Sequence, residues 1–447
     1  MKKILKYILA FIVVIAIFVV ALVLSSLFPR DWIQANVEKS SKELLLETIP
    51  TNVLGVWFDN ATDILMINTS YSINPKKPLE SALLTRVDYL PDKEQTVYED
   101  IGTGNDVVPN EGYNPIEQLT LTVKNEIDES YEYARYWHGY ISFLRPLFIF
   151  FSFNEIRKIM IVVLALLAMI LLMVLYKKIS FKYCFAVLLA LLTSEYFLMG
   201  FTLQGIMTFI ICMISSIIIC TRFEKIKNIG VYFFVIGMVT CYFDLLTHPI
   251  ITLGFPMIIY LLLKQEKEQM SLKEAIKFII VNTLLWGIGW IVTNMAKWVI
   301  VDILYDRNLI YKSIMQFGYR SQAEYTAGLN LFDGLKINWK YAIKNTYTYY
   351  AILLIYVICY LIKNYKKINI DIKSGLPYLI IALMPIAWFV VMRNHTLNHW
   401  YFTWRNLIVF YIGTGIFLLK LFSIKGGNSN KTEEVEITEN QKGNEVK

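Results

Sequence analysis

KKILKYILAFIVVIAIFVVALVLSSLF spans residues 2–28, and its reading decides the fold. Lys2, Lys3 and Lys6 lead into an apolar run over residues 7–28. A helix rises about 1.5 Å per residue, so about 20 apolar residues cross a hydrocarbon core about 30 Å thick. The apolar core of a cleaved signal peptide is about 7–15 residues and precedes a small-residue cleavage site. This run is longer and no A-x-A site follows it, so it reads as a retained anchor with a cytoplasmic N-terminus.

Further apolar runs lie at about 159–176, 183–199, 203–221, 229–247, 250–263, 278–300, 348–362, 376–392 and 401–422. With the first helix they make about ten spans. Alternated across a bilayer, they put Lys177-Lys178-Lys182, Arg222-Lys225-Lys227, Lys264-Lys267-Lys273-Lys277 and Lys363-Lys366-Lys367-Lys373 on the side of the N-terminus. Short cytoplasmic loops carry the excess of Lys and Arg, so both termini are expected in the cytoplasm of a multi-pass cell-membrane protein. The expected fold class is all-α: a polytopic membrane helical bundle with a large extracytoplasmic loop after the first span. Its parts are the anchor helix (1–28), the extracytoplasmic loop (29–157) and a multi-span bundle (158–423) with a second outer piece at 301–347. A polar tail (424–447) is expected to be disordered. Segments 44–46 and 144–153 read as membrane-surface helices. Pro249 and Pro256 mark 250–263 as kinked or broken.

Composition agrees. Of the 447 residues 56% are hydrophobic and 18% charged, and mean hydropathy is +0.47. Soluble domains average about 45–50% apolar and about 25% charged, which excludes an ordinary cytosolic enzyme, a disordered chain and a secreted disulfide scaffold. Cys184, Cys212, Cys220, Cys241 and Cys359 lie in apolar runs and read as packing residues. The net charge of +7 belongs to the Lys-rich loops and gives no reason to expect a nucleic-acid partner. No P-loop, G-x-G-x-x-G, G-x-S-x-G or kinase signature occurs.

The scarce polar residues of the spans collect near one boundary. His138, His248, His395 and His399 fall there, as do Glu195, Gln204, Asp244, Lys297 and Arg393. Ionisable groups at membrane depth usually face a cavity or a partner, so the collection points to an outward-opening site; the alternative is that outer helix ends are simply polar. Four motifs stand out. In Trp57-Phe58-Asp59-Asn60-Ala61-Thr62-Asp63 the two acids share a helical face; Asp59 is the first choice for a general base, and a divalent metal is conceivable between the pair without a complete motif. The competing reading makes Asn60 the helix cap and Asp63 its third helical residue. Arg135-Tyr136-Trp137-His138-Gly139-Tyr140, with Arg145, joins sugar-stacking aromatics to phosphate-binding guanidinium groups around a flexible Gly; the alternative is an interfacial aromatic belt. Arg393-Asn394-His395-Thr396-Leu397-Asn398-His399-Trp400, with Arg405 beyond, reads as a hydrogen-bonding or phosphate-contacting loop and lacks the Glu of a zincin motif. Asp244 and His248 share a helical face as a possible acid–imidazole pair. Lys297 and Arg320 complete the set of cations on that side.

One helix, then a large outer loop with an acidic motif near its start, then many spans: this layout resembles the GT-C superfamily of membrane glycosyltransferases. The family's acidic motif would fall on Asp59 or Asp63. Its downstream aromatic segment leading into a surface helix is similar to Trp137-His138-Gly139 with Leu144-Arg145-Pro146. Asp59 is followed by Asn60, where the family's acidic pair is adjacent. The resemblance implies transfer of a sugar from a polyprenyl-phosphate donor to an envelope glycan or protein acceptor outside the membrane, with the lipid bilayer as the setting. Asp59 would deprotonate the acceptor, and cations such as Arg135, Lys297, Arg320 or Arg405 would stabilise the departing phosphate. Two other classes stay open: a transporter or lipid flippase using the same cavity, and an envelope assembly protein whose 29–157 segment binds a partner.

Overall fold

The computed structural model describes residues 2–88, 115–127, 129–321, 330–365 and 368–424. These are helical apart from short turns and three two-stranded antiparallel ladders. The anchor, α1 (Lys2–Ser26), is one continuous helix. After it come α2 (Arg30–Leu44), α3 (Asn60–Tyr71), α4 (Pro78–Leu84), α5 (Pro115–Val123) and α6 (Ile141–Phe148). The hairpin β1 (Thr51–Val53) and β2 (Val56–Phe58) runs into α3, and β3 (Arg86–Asp88) pairs with β4 (Ser130–Glu132). The bundle is α7 (Phe153–Tyr176), α8 (Phe181–Thr193), α9 (Ile206–Arg222), α10 (Ile229–Phe243), α11 (Pro249–Lys267), α12 (Leu272–Tyr305), α13 (Leu309–Ser321), α14 (Asp333–Asn364), α15 (Ile372–Ala382), α16 (Met384–Val391), α17 (Arg393–Asn398), α18 (Trp400–Thr403) and α19 (Ile408–Leu421).

All ten apolar runs are helical, but they are not ten equal spans. Among the described residues seven helical stretches are long and apolar enough to cross a membrane: α1, α7, α9, α12, α14, α15 with α16, and α18 with α19. α8 has 13 residues and α10 has 15. Each is only about 20 Å long, short of a full hydrocarbon core. They hand over to a segment at 194–205 built around a short 3-10 helix (Tyr196–Phe201) and to turns at 244–248, both packed within the protein. α11 is enclosed almost throughout by its neighbours. It is not broken: Pro249 sits in its first turn, where no intrahelical N–H bond is lost, and the helix continues through Pro256.

Three more expectations change. The outer piece 301–347 is mostly helix, because α12 runs on to Tyr305 and α14 already starts at Asp333. In segment 144–153 helix α6 ends at Phe148; Leu144, Arg145 and Phe148 are fully buried, while Phe150 beyond it is 71% exposed. Residues 45–46 lie in the turn that ends α2. The tail beyond Ile424 lies outside the described residues.

The loops sort to two ends. At one, Tyr7 meets Phe234 edge-on at 5.5 Å, Lys267 pairs with Glu224, and Lys182 Nζ donates to Leu419 O at 3.3 Å. There β5 (Ile368–Ile370) also pairs with β6 (Phe422–Ile424). The start of the chain and the basic clusters thus share an end. At the other end the post-anchor segment meets the turns 202–204, 305–309 and 392–407.

Candidate functional site

The β1–β2 hairpin delivers Asp59 to the start of α3, where it is the N-cap. Its Oδ1 accepts from Thr62 N at 3.2 Å and its Oδ2 from Thr62 Oγ1 at 2.5 Å. The first N–H groups of a helix have no intrahelical acceptor, and this carboxylate supplies one. The capping role expected of Asn60 therefore belongs to Asp59. Asn60 is already helical, and its amide donates to Thr48 O at 2.9 Å and Glu47 Oε2 at 3.2 Å. Asp63 closes no capping box. Its Oδ1 accepts from Leu203 N at 2.8 Å, Gln204 N at 3.0 Å and Thr202 Oγ1 at 3.2 Å, tying α3 to the turn before α9.

Burial raises the Asp59 carboxyl above its ordinary range against the opposing Thr62 bonds. Burial also pushes Asp63 up to about 7; Arg157 opposes the shift and neighbouring Asp59 adds to it. A carboxyl whose proton affinity approaches neutrality is what general-base chemistry uses.

Arg405, from the far end of the chain, reaches Phe58 beside Asp59. It is 1% exposed; its Nη2 donates to Glu195 Oε2 at 2.9 Å and its Nη1 to Tyr401 O at 2.9 Å. Its guanidinium lies 5.0 Å from the Phe58 ring and 4.9 Å from the Trp404 ring. Glu195 breaks the chain after α8 in a left-handed conformation (φ 60°), and its second oxygen takes Asn345 Nδ2 at 3.1 Å. Arg157, in the first turns of α7, forms a second buried ion pair with Glu47. Among the described residues Asp63 Oδ2, Arg157 Nε and Arg405 Nε are buried without a hydrogen-bond partner. Hydrogen-bonding capacity is thus left over in one layer, where a water or a substrate polar group would satisfy it.

A second group lies beside the first. Arg320 of α13 donates from Nη1 to His395 Nδ1 at 2.8 Å, and its guanidinium sits 5.9 Å from the Tyr136 ring. The accepting Nδ1 leaves the His395 proton on Nε2, which donates to Leu246 O at 2.9 Å. Burial, then His399 and Arg320, hold His395 well below its ordinary pKa. His399 is lowered to about 3 by burial and Arg320. Phe402 packs beside this second group: its ring stacks on His399 at 5.2 Å, and its carbonyl accepts from His248 Nε2 at 2.9 Å.

Other sequence candidates are committed to structure. Trp137 is fully buried, donates from Nε1 to Thr293 O at 2.8 Å and packs on Phe18. Arg145 gives its guanidinium to the carbonyls of Ser25, Ser70 and Phe28, clamping the end of α1 to α3. His138 Nε2 meets Tyr133 O at 2.6 Å, so Nδ1 accepts from Tyr140 OH at 2.8 Å. Burial, with Lys297 nearby, holds it neutral. Gly139 is not a flexible joint: a Cβ there would fall 2.4 Å from Tyr242 O. Lys297 is buried and donates to Tyr136 O. The Arg135 guanidinium lies over Tyr133 and Tyr136. Arg393 opens α17. Asp244 and His248 do not share a helical face, because α10 stops at Phe243; Asp244 accepts from Thr247 N at 2.8 Å.

The acid pair does not fit a divalent metal. Both Asp59 oxygens and Asp63 Oδ1 are taken, and the remaining Asp63 Oδ2 lies in the field of Arg157. Among the described residues no three of His, Cys, Asp and Glu gather as a metal site needs. Sequence reasoning places Glu195 and Gln204 only in the polar collection at one boundary and does not single out Glu47 or Arg157. Glu195 and Gln204 carried the signal of a polar side chain beside apolar runs; nothing local marks Glu47 as the partner of Arg157, 110 residues away. No family model, no curated protein and no solved structure matches this chain.

Proposed function

We propose that the protein is a GT-C-like membrane glycosyltransferase that moves a sugar from a polyprenyl-phosphate donor to an acceptor on the extracytoplasmic face. The observation that supports this best is that the segment after the first span and the last one come together here: the Arg405 guanidinium lies 5.0 Å from the ring of Phe58, the residue before Asp59. Asp59 takes the proton of the acceptor hydroxyl, and the oxygen attacks the anomeric carbon. The bond from that carbon to the phosphate oxygen breaks, and the lipid phosphate leaves with the electron pair. Arg405 is paired with Glu195, whereas Arg320 bonds an imidazole and forms no ion pair among the described residues, which leaves it to meet the departing phosphate. In this reading the basic end faces the cytoplasm and the site end faces outward.

The test is Asp59→Asn in membranes supplied with radiolabelled polyprenyl-phosphate sugars. Loss of a general base typically lowers the rate about 10²–10⁴-fold. Transfer at the wild-type rate would remove the assignment.

A further inference from the structure

α13 has its polar side turned inward. At 100° per residue its thirteen positions sort into four sides. Leu309, Ser313, Gln316 and Arg320 form one; Leu309 and Ser313 are 6% and 4% exposed, and Arg320 reaches His395. About a quarter turn away, Ile310, Ile314 and Phe317 form a second, with Ile314 59% and Phe317 49% exposed; Ser321 ends that side with its hydroxyl turned back onto Phe317 O at 2.9 Å. Lys312 and Tyr319 lie on the side opposite these apolar residues. Tyr311 and Gly318 point away from the protein; a Cβ on Gly318 would meet nothing within 4 Å.

A helix against a protein in water would bury its apolar side. This one exposes it, at right angles to its protein contact and opposite a lysine. That arrangement fits a helix lying flat in a membrane interface, apolar side down, with the Lys312 ammonium lifted toward water on its flexible stem. Its neighbour supplies the level. On α12 an exposed stripe, Ile280, Leu284, Ile288, Ile291, Met295 and Ile303, runs the length of the span. The Asp302 carboxylate at the top of that stripe accepts from Leu309 N and from Ile310 N at 3.0 Å, fixing the start of α13 there.

We infer that α13 is an interfacial helix whose Ile310–Ile314–Phe317 side rests in the leaflet at the site end of the bundle, and that this seating carries Arg320 to His395. The occupant of the apolar side is the bilayer itself. This holds whatever reaction the protein performs.

The full chain, with Cys359→Ser to remove the exposed native thiol, is reconstituted in nanodiscs carrying single cysteines at Ile314→Cys, Phe317→Cys or Lys312→Cys. Each is labelled with an environment-sensitive fluorophore and titrated with lipids brominated near the headgroup end of the chain. Interfacial helices lie about 5–10 Å into the headgroup–acyl boundary, so quenching at 314 and 317 should exceed that at 312 by about twofold or more. Equal quenching at the three positions, or water-like emission at 314 and 317, overturns the inference. So does a disulfide between two copies through Ile314→Cys, which would make the occupant a second chain. If Ile314→Cys does not fold, Ile310→Cys reports the same side.

Discussion

Asparagine caps a helix about as well as aspartate, whereas alanine at an N-cap costs about 1 kcal/mol. Asp59→Asn should therefore lose sugar transfer at a near-wild-type melting temperature, and Asp59→Ala should lose both; activity and thermal melts on the two variants separate base from cap. Asp63 predicts a pH effect of unusual sign. Its folded-state carboxyl is pushed up to about 7, above the ordinary value of about 3.9, so the folded state holds the proton more tightly. The contribution is then fully present in acid and is lost as pH rises from about 4 through 7. Melting temperatures across that range should fall more steeply for the wild type than for Asp63→Asn. Arg405→Ala would leave Glu195 without its ion-pair partner beside a fully buried site; breaking such a pair costs about 3–5 kcal/mol, at the lower end here because the Glu195 side chain is 19% exposed.

Between elements, α10 and α12 cross backbone to backbone at close range. A Cβ on Gly237 would lie 2.1 Å from Trp286 O, and one on Gly289 would lie 2.1 Å from Phe234 O. Small residues let membrane helices pack backbone to backbone, where van der Waals contact supplies what the hydrophobic effect cannot. Gly289→Ala should force the helices apart and lower the melting temperature and yield. Gly287→Ala, two residues away with nothing within 4 Å of its Cβ, should be tolerated; the pair makes a matched test by thermal melts in detergent. The apolar runs announced these helices because length and hydropathy are local properties. Their ends were less legible: α14 begins well before its apolar run, and α8 stops early, since a helix end depends on which partners satisfy its last carbonyls.

Across the whole molecule, the segregation of loops gives a topology prediction. In the Cys359→Ser background, Trp57→Cys and Asn398→Cys should react with a membrane-impermeant maleimide on intact cells, and Lys225→Cys only after permeabilisation. Labelling of 57 and 398 from opposite sides would contradict the shared end. Of the candidate residues, sequence reasoning picked several that the fold brings near one another and misjudged several roles. Asp59 and Asp63 lie together and Arg405 reaches the neighbouring Phe58, but Trp137, Arg145 and His138 are held by carbonyls and hydroxyls, because a buried polar side chain must find a partner wherever packing puts one.

The sequence alone determined that this is a bundle of apolar helices with its basic loops on one side, because hydrophobic length and charge act on each segment independently of the others. Only the tertiary structure decided which residue caps α3, which acid neutralises Arg405 across 210 positions, and that α13 shows its apolar side outward. Those outcomes depend on which distant groups packing brings within hydrogen-bond reach, and no local pattern encodes that distance.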